Sequence, residues 1–227
     1  MPSPISEPSS DGPGRRRNRR VDVLDAAVDV FCRKGYAGSS VQDVADVVGV
    51  LKGSLYYYIK SKEDLLAEIV EDVHERSRSI FDDVVALDVS PLERIRIYIE
   101  RHVEWYLDNV EEVTVYFRDW RFLTGERLEL AAQRRRGYDR AVRKLVVAAQ
   151  DHGDVDAGVD PKYASFYVLA AVNHVPDWYR RGKGDPPSRI AAAYADLVVG
   201  TLVGTHPRSA DASDPGPWNT PHRSFGR

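Results

Sequence analysis

Between a polar front end and a polar tail, apolar residues in this chain recur at three- and four-residue intervals, and no stretch alternates over a useful length. That period gives each of a series of helices one apolar face and leaves no strand with which to build a sheet. The expected fold is therefore all-α, with about nine helices. "RRVDVLDAAVDVFCRKGY" sets Val23, Ala26, Ala27, Val30 and Phe31 on one face and stops at Lys34-Gly35, a normal helix end. "SSVQDVADVVGV" places Val41, Val44, Ala45 and Val48 at i, i+3, i+4 and i+7, with Ser40 as N-cap, Asp43 at the capping-box position and Gly49 closing the helix. A third short helix is expected over roughly 51–58. Ser61 and Asp64 then open a long helix to about Val85, and Ser90-Pro91 opens another. Further helices are expected near 111–121, 126–151, 160–181 and 187–203, with loops at 152–161 and 180–188.

The ends differ in kind. Residues 1–14, "MPSPISEPSSDGPG", and about 206–227 are rich in Pro, Ser and Gly or poor in apolar residues, so both read as disordered tails. The 227 residues, 43% hydrophobic and 30% charged, suit a packed soluble fold. Charge is unevenly spread. Residues 15–62 hold ten Lys/Arg and five Asp/Glu, a balance of +5. Residues 1–14 hold −2, so a total of −3 leaves −6 for the remainder. A basic front end on an acidic body points to an anionic partner for one part only. Cys32 is the sole cysteine, which excludes a disulfide within the chain, fits a reducing cytoplasm and reads as a small core residue. The polar N-terminus is no signal peptide, and "LVVGTLVG" is far too short to span a membrane.

The three front helices, the second and third split by Gly49-Val50, read as a helix-turn-helix unit. Val41, Val44, Ala45, Val48, Leu55 and Ile59 can hold the third helix to the second. Its outer face would then carry Lys52, Ser54, Tyr56, Tyr57 and Tyr58, with Gly53 leaving room for a close backbone approach and Lys60 and Lys62 placed for phosphates.

"SVQDVADVVGVLKGSLYYYIKSKEDLL" resembles the DNA-binding signature of the TetR family of bacterial transcriptional regulators. The resemblance is carried by Ser40, Val41, Asp43, Val44, Ala45, Gly49, Val50, Gly53, Ser54, Leu55, Tyr56, Tyr58, Ser61, Lys62, Glu63 and Leu65, and upstream by "AAVDVFCRKGYAGSS". It spans about 45 residues at fixed spacing. It departs from the family's pattern at Leu51, where a capping Ser or Thr is usual, at Ile59 for Phe and at Val48 for Ala. The resemblance implies a DNA-binding domain over 15–62 and a ligand-binding and dimerisation domain over 63–205. It implies DNA contacts from Ser40, Gln42, Lys52, Gly53, Ser54, Tyr56, Tyr57, Tyr58 and Lys62. Leu55 and Ile59 are expected in the core, Tyr56 and Tyr58 facing DNA, and Tyr57 is open between the two. Arg15, Arg16, Arg17, Arg19 and Arg20 are either a solvated run or a further phosphate or minor-groove contact.

For the body the resemblance implies a small-molecule effector and a homodimer through the last two long helices, 160–181 and 187–203. Trp105, Tyr116, Trp120 and Phe166 are the aromatic candidates for lining the ligand cavity. A weaker resemblance, to acyl-CoA-responsive regulators of lipid and steroid catabolism, adds Arg121 as a ligand residue. It makes Arg118, Arg134, Arg135 and Arg136 available to phosphates, although for most of these arginines a solvated charged helix face is the favoured reading. The function implied is a cytoplasmic repressor released from a near-palindromic DNA operator, with an activator or an architectural DNA binder without ligand control as alternatives. No phosphate-binding loop, zinc spacing or nucleophile with a placed base is present. No catalytic residue, metal or cofactor is expected, no membrane partner either, and an enzyme is the remote reading, with His102 and His174 taken as satisfied polar groups.

Overall fold

The computed structural model describes residues 13–204, with side chains from Arg19 onward. The expected tails at 1–12 and 206–227, and the side chains of Arg15, Arg16 and Arg17, lie outside the described residues.

The first helix, α1 (Pro13–Lys34), begins two residues inside the expected tail and ends where Gly35 takes a φ of +75°. Helix α2 (Val41–Val48) starts on the full Ser40–Asp43 capping box and stops on left-handed Gly49. The third helix, α3, is only Lys52–Leu55, and its cap position Leu51 makes no side-chain bond. The expected span of 51–58 is thus corrected. Without a cap, with Gly53 inside and three aromatics following, the segment relaxes into a turn after one helical turn. A second capping box at Ser61–Asp64 launches α4 (Lys62–Val85), and Ser90 caps α5 (Pro91–Asp108).

Helix α6 (Val110–Asp119) runs into a 3-10 turn, Trp120–Phe122, and is followed by the long α7 (Gly125–His152) and α8 (Pro161–Asn173). The helix expected over 160–181 breaks at His174, after which α9 (Val175–Trp178) is a single turn. Pro176 is the cause, since it has no N–H to donate back to residue 172 and its ring crowds that carbonyl. The chain ends its described part in α10 (Pro187–Val203). All regular elements among the described residues are helical. None of these helices is long and apolar enough to cross a membrane.

The head is closed by Val23, Ala27, Phe31, Val44, Ala45, Leu55 and Ile59, all buried. Its core is continuous with that of the body because α4 contributes Leu65, Leu66 and Ile69 near the head and Val73, Phe81 and Val84 further on. In the body α5 lies between α10 on one side and α4 and α7 on the other, and α8 packs on α7 and α10. Helices α8 and α10 keep apolar residues on their outer sides. Tyr163 is 65% exposed and Leu197 68%, with Phe166, Tyr167 and Val203 also exposed. Tyr167 Oη and Thr201 Oγ1, 3.4 Å apart, join the two outer faces.

Candidate functional site

The head presents a ridge made by α3 and the turn after it. Lys52 and Gly53 are exposed, Ser54 is half-buried, and Tyr56 and Tyr57 are 49% and 77% exposed. Leu55 and Ile59 anchor the ridge from beneath, both buried as expected. A Cβ on Gly53 would meet nothing within 4 Å, so packing inside the chain does not explain the glycine. Leu51, at the leading edge, is 80% exposed. Ser40 and Gln42 lie beside this ridge, but both are engaged locally: the Ser40 hydroxyl donates to Asp43 at 2.7 Å, and Gln42 Nε2 donates to Asp46 at 2.7 Å. Lys34 pairs with Asp43 at 2.5 Å, and this bond with the Ser40 donors lowers the Asp43 carboxyl to about 2.

Two expected contacts sit elsewhere. Tyr58 packs half-buried against the core, and its carbonyl accepts from Arg20 Nη1 at 3.2 Å. Of the three tyrosines the outward pair is therefore Tyr56 and Tyr57, whereas the sequence favoured Tyr56 and Tyr58. Lys62 turns inward. Its Nζ donates to the carbonyls of Tyr36 and Ser39 at 2.7 and 2.8 Å and lies 4.1 Å from the Tyr36 ring centroid. An ammonium has three N–H groups. Two are bonded to carbonyls and the ring covers the rest, so the structure does not support Lys62 as a phosphate contact. Arg20 is likewise held, bonded through two nitrogens to Glu68 at 3.1 and 2.8 Å.

The body holds a cavity of about 60 Å³ between α4, α6 and α7, lined among others by Val70, His74, Tyr116, Leu123 and Ala131, with Arg127, Arg134 and Arg135 on its wall. A second, smaller space of about 20 Å³, more open than the first, shares His74, Tyr116 and Arg135 and is lined also by Ser77, Tyr106, Phe117 and Tyr138. Of the five expected ligand residues only Tyr116 lines this space. Trp105 packs half-buried beside Tyr106, with ring centroids 5.5 Å apart. Trp120 and Arg121 stack on each other at 4.9 Å outside the lining, and Phe166 lies on the exposed side of α8. Arg134 and Arg135 were legible as cations available to phosphates; Arg127, His74, Tyr106 and Tyr138 were not. Arg135 is held over three rings, 5.2 Å from Tyr116, 5.4 Å from Phe117 and 5.0 Å from Trp120, where ring quadrupoles favour a cation. Arg134 pairs with Glu71 across the opening.

His102 is fully buried beside Tyr106 and Tyr138, whose ring centroids lie 5.7 and 6.0 Å away. Tyr138 Oη lies 2.5 Å from its Nε2, and its Nδ1 lies 3.2 Å from the Tyr98 carbonyl. Burial lowers the His102 pKa to about 4, so the ring is neutral. Nε2 also lies 3.1 Å from the Ser77 carbonyl, so the single N–H of a neutral ring serves either the Tyr98 or the Ser77 carbonyl. His174, the other histidine expected to be a satisfied polar group, bonds Asp177 at 2.9 Å on the surface. Among the described residues no group of three or more His, Cys, Asp or Glu is placed to hold a metal ion.

Cavity and head are joined by short links. Helix α6 carries Tyr116 into the cavity, and two residues on Arg118 reaches α1, where its guanidinium donates to the Phe31 and Cys32 carbonyls at 2.5 and 3.1 Å. Asp119, buried, accepts from the Tyr36 N–H at 3.2 Å. Arg127 on the cavity wall pairs at 2.5 Å with Asp64, the residue that completes the cap of α4 just after the ridge. Thr124 bonds Glu63 in the same place.

Residues 23–69 match the family model for bacterial regulatory proteins of the tetR family, and residues 88–202 match the model for the tetracyclin repressor-like C-terminal domain. The HTH-type transcriptional repressor KstR2 of Rhodococcus jostii is 22% identical over 203 residues, covering 89% of this chain and 100% of that one. Its Mycobacterium tuberculosis counterpart is 25% identical over 202 residues, 84% of this chain and 96% of that one. The solved structure of the M. tuberculosis ketosteroid transcriptional regulator KstR2 superposes with a TM-score of 0.78 at 22% identity, over 82% of this chain and 96% of that one. AibR, solved with isovaleryl coenzyme A and operator DNA, superposes with a TM-score of 0.72 at 25% identity, over 82% and 98%.

Proposed function

The chain belongs to the tetR family of bacterial regulatory proteins, and from that premise we propose that it is a repressor that leaves its DNA operator when a small molecule enters the body cavity. Residues 15–62 bind DNA and residues 63–205 bind the effector and dimerise. The observation that carries this reading is the length of α6: one ten-residue helix has Tyr116 in the cavity and Arg118 and Asp119 on the head. A body site that touches the head so directly favours ligand control over a plain architectural DNA binder. Binding operator DNA places the protein in the cytoplasm, and no catalytic step is needed for any part of it.

At the head, Lys52, Tyr56 and Tyr57 meet the major groove and its phosphates, Gly53 lets the backbone come close, and Ser54 supports them. Ser40 and Gln42 approach the backbone from α2. In a two-fold dimer formed by the outer faces of α8 and α10, the two ridges face successive grooves and call for a near-palindromic site.

At the body, the effector class is an acyl-CoA thioester. Arg127, Arg134 and Arg135 offer its phosphates cations around an otherwise apolar opening, and AibR, a similar fold, has been solved with such a thioester. The cavity of about 60 Å³ is far below the several hundred Å³ that ligand sites of this size occupy. The ligand must therefore separate α7 from α4 and α6 to enter. Anything that moves Tyr116 or competes for Arg127 strains the Arg118 and Asp64 links and so biases the head away from its DNA-binding geometry.

The test is a gel shift with the DNA upstream of the chain's own coding sequence, with and without decanoyl-CoA. Retardation at low micromolar protein, reversed by the thioester, is expected. A folded dimer that retards no specific DNA would sink the reading.

A further inference from the structure

Leu51 and Tyr57, at 80% and 77%, are the most exposed large apolar side chains among the described residues, and both lie on the head. Leu197 and Tyr163 come next, on the outer faces of α10 and α8 that a second copy of the chain would cover. Tyr57 has a hydroxyl to offer, whereas the Leu51 side chain is carbon alone. It caps nothing, and it stays out of the core against which Val48 and Val50 pack. Its backbone is nonetheless fixed. The Leu51 carbonyl accepts from the Ser54 N–H at 2.8 Å, and the Val50 N–H donates to the Ala45 carbonyl at 3.0 Å. A rigid mount therefore holds a leucine out in water at the N-terminal edge of α3.

The charge around it is of one sign. Residues 47–62 carry Lys52, Lys60 and Lys62 and no acidic residue, and Lys52 and Lys60 are exposed. An apolar knob beside free cations, continuous with the ridge of Tyr56 and Tyr57, suits a polyanion with apolar groups inside it. In a helix-turn-helix the first residues of the recognition helix meet base edges. A leucine there can neither donate nor accept a hydrogen bond. Against a phosphate, or the amino group of adenine or cytosine, it would take a polar group from water and return no bond. One feature of the major groove suits it, the 5-methyl group of thymine. Resting on the DNA-binding reading above, we propose that Leu51 is a base-specifying residue that contacts a thymine methyl in each half of the operator. The bare cap of α3 and the exposed leucine then have one cause, because a serine at this position would cap the helix and lose the apolar contact.

The experiment is a gel-shift titration of the DNA upstream of the chain's own coding sequence, amplified with either thymidine or deoxyuridine triphosphate. Uracil lacks the 5-methyl group and keeps the base pairing. Full-length wild type and Leu51→Ala are compared, with the melting temperature of each. One methyl contact is worth about fourfold in affinity, so a dimer that makes two should bind the uracil DNA roughly fifteenfold more weakly. Leu51→Ala, whose side chain is too short to reach, should bind the two DNAs to within about threefold of each other. It should melt where wild type melts, since Leu51 packs on nothing. Equal binding of both DNAs by wild type overturns the readout and leaves Leu51 to a protein partner. Discrimination that persists in Leu51→Ala also overturns it, as the tyrosine rings would then carry it, and so does a clear fall in the variant's melting temperature. Specific retardation without discrimination removes the thymine contact alone, whereas no specific retardation of the thymine DNA removes the function on which it rests.

Discussion

Lys62 Nζ donates to the main-chain carbonyl of Tyr36 at 2.7 Å and rests 4.1 Å from the centroid of the same residue's ring. The first residue of α4 is thereby tied to the loop that joins α1 to α2. Lys62→Met keeps the stem and removes the ammonium, leaving the Tyr36 and Ser39 carbonyls without this donor. A loss of about 1–3 kcal/mol of stability is expected by denaturant unfolding. DNA binding at temperatures where the variant is folded should keep its salt dependence. Lys52→Met should do the opposite, with stability unchanged and the slope of log affinity against log salt smaller by about 1. A reduced slope for Lys62→Met would return this lysine to the DNA interface.

Gly53 and Leu51 test the ridge itself. Gly53→Ala adds a Cβ into open space, so the head should be as stable or gain about 0.5–1 kcal/mol from helix propensity. Operator affinity should fall at least about tenfold, roughly 1.4 kcal/mol, where the backbone comes close to the groove. Leu51→Ser supplies the cap that α3 lacks and should stabilise the head by about 1 kcal/mol. Thermal melts and gel shifts on the two variants check both.

Arg118→Lys keeps the charge but cannot fork between the Phe31 and Cys32 carbonyls. Operator affinity without effector should change little. The ratio of affinities without and with decanoyl-CoA should shrink by about 1 kcal/mol, out of a typical coupling of about 1–3 kcal/mol. Titrations of labelled operator in the two conditions measure it, and an unchanged ratio would exclude the α6 link as the route.

Acid should weaken the fold through His102. Its pKa is about 4 in the folded chain and about 6.5 when unfolded. Between these values the unfolded chain binds the extra proton, so stability is intact above about pH 6.5 and falls as pH drops towards 4. The full effect is on the order of 3 kcal/mol for such a shift. Replacing the imidazole by His102→Gln should flatten the pH dependence of stability in this window by about that amount, whatever its effect at neutral pH. Urea unfolding at several pH values between 4.5 and 7.5 gives the comparison.

Much of the architecture was legible because it is written locally. The capping boxes at Ser40–Asp43 and Ser61–Asp64, the stop at Gly49 and the start at Pro91 each formed as read, since every such bond joins residues three or four apart. The bare cap at Leu51 was equally visible and explains why α3 is so short. The break at His174 was also within reach, because Pro176 sits in the middle of the span read as one helix.

What the sequence by itself determined is the helical layout and, through the resemblance carried by about 45 residues, the identity of the head. Tertiary structure alone decided where the side chains spend their bonds. Lys62 reaches Tyr36 across 26 residues, Arg118 reaches Phe31 across 87, and Tyr138 meets His102 across 36. These partners come together only when the whole core has closed. For the same reason the sequence turns Tyr58 outward and points to Trp105, Trp120, Arg121 and Phe166 for the cavity, where the folded chain places His74, Arg127 and Tyr116. Helical periodicity reports that a face is apolar, but which buried groups end up lining a space is set by how the helices cross.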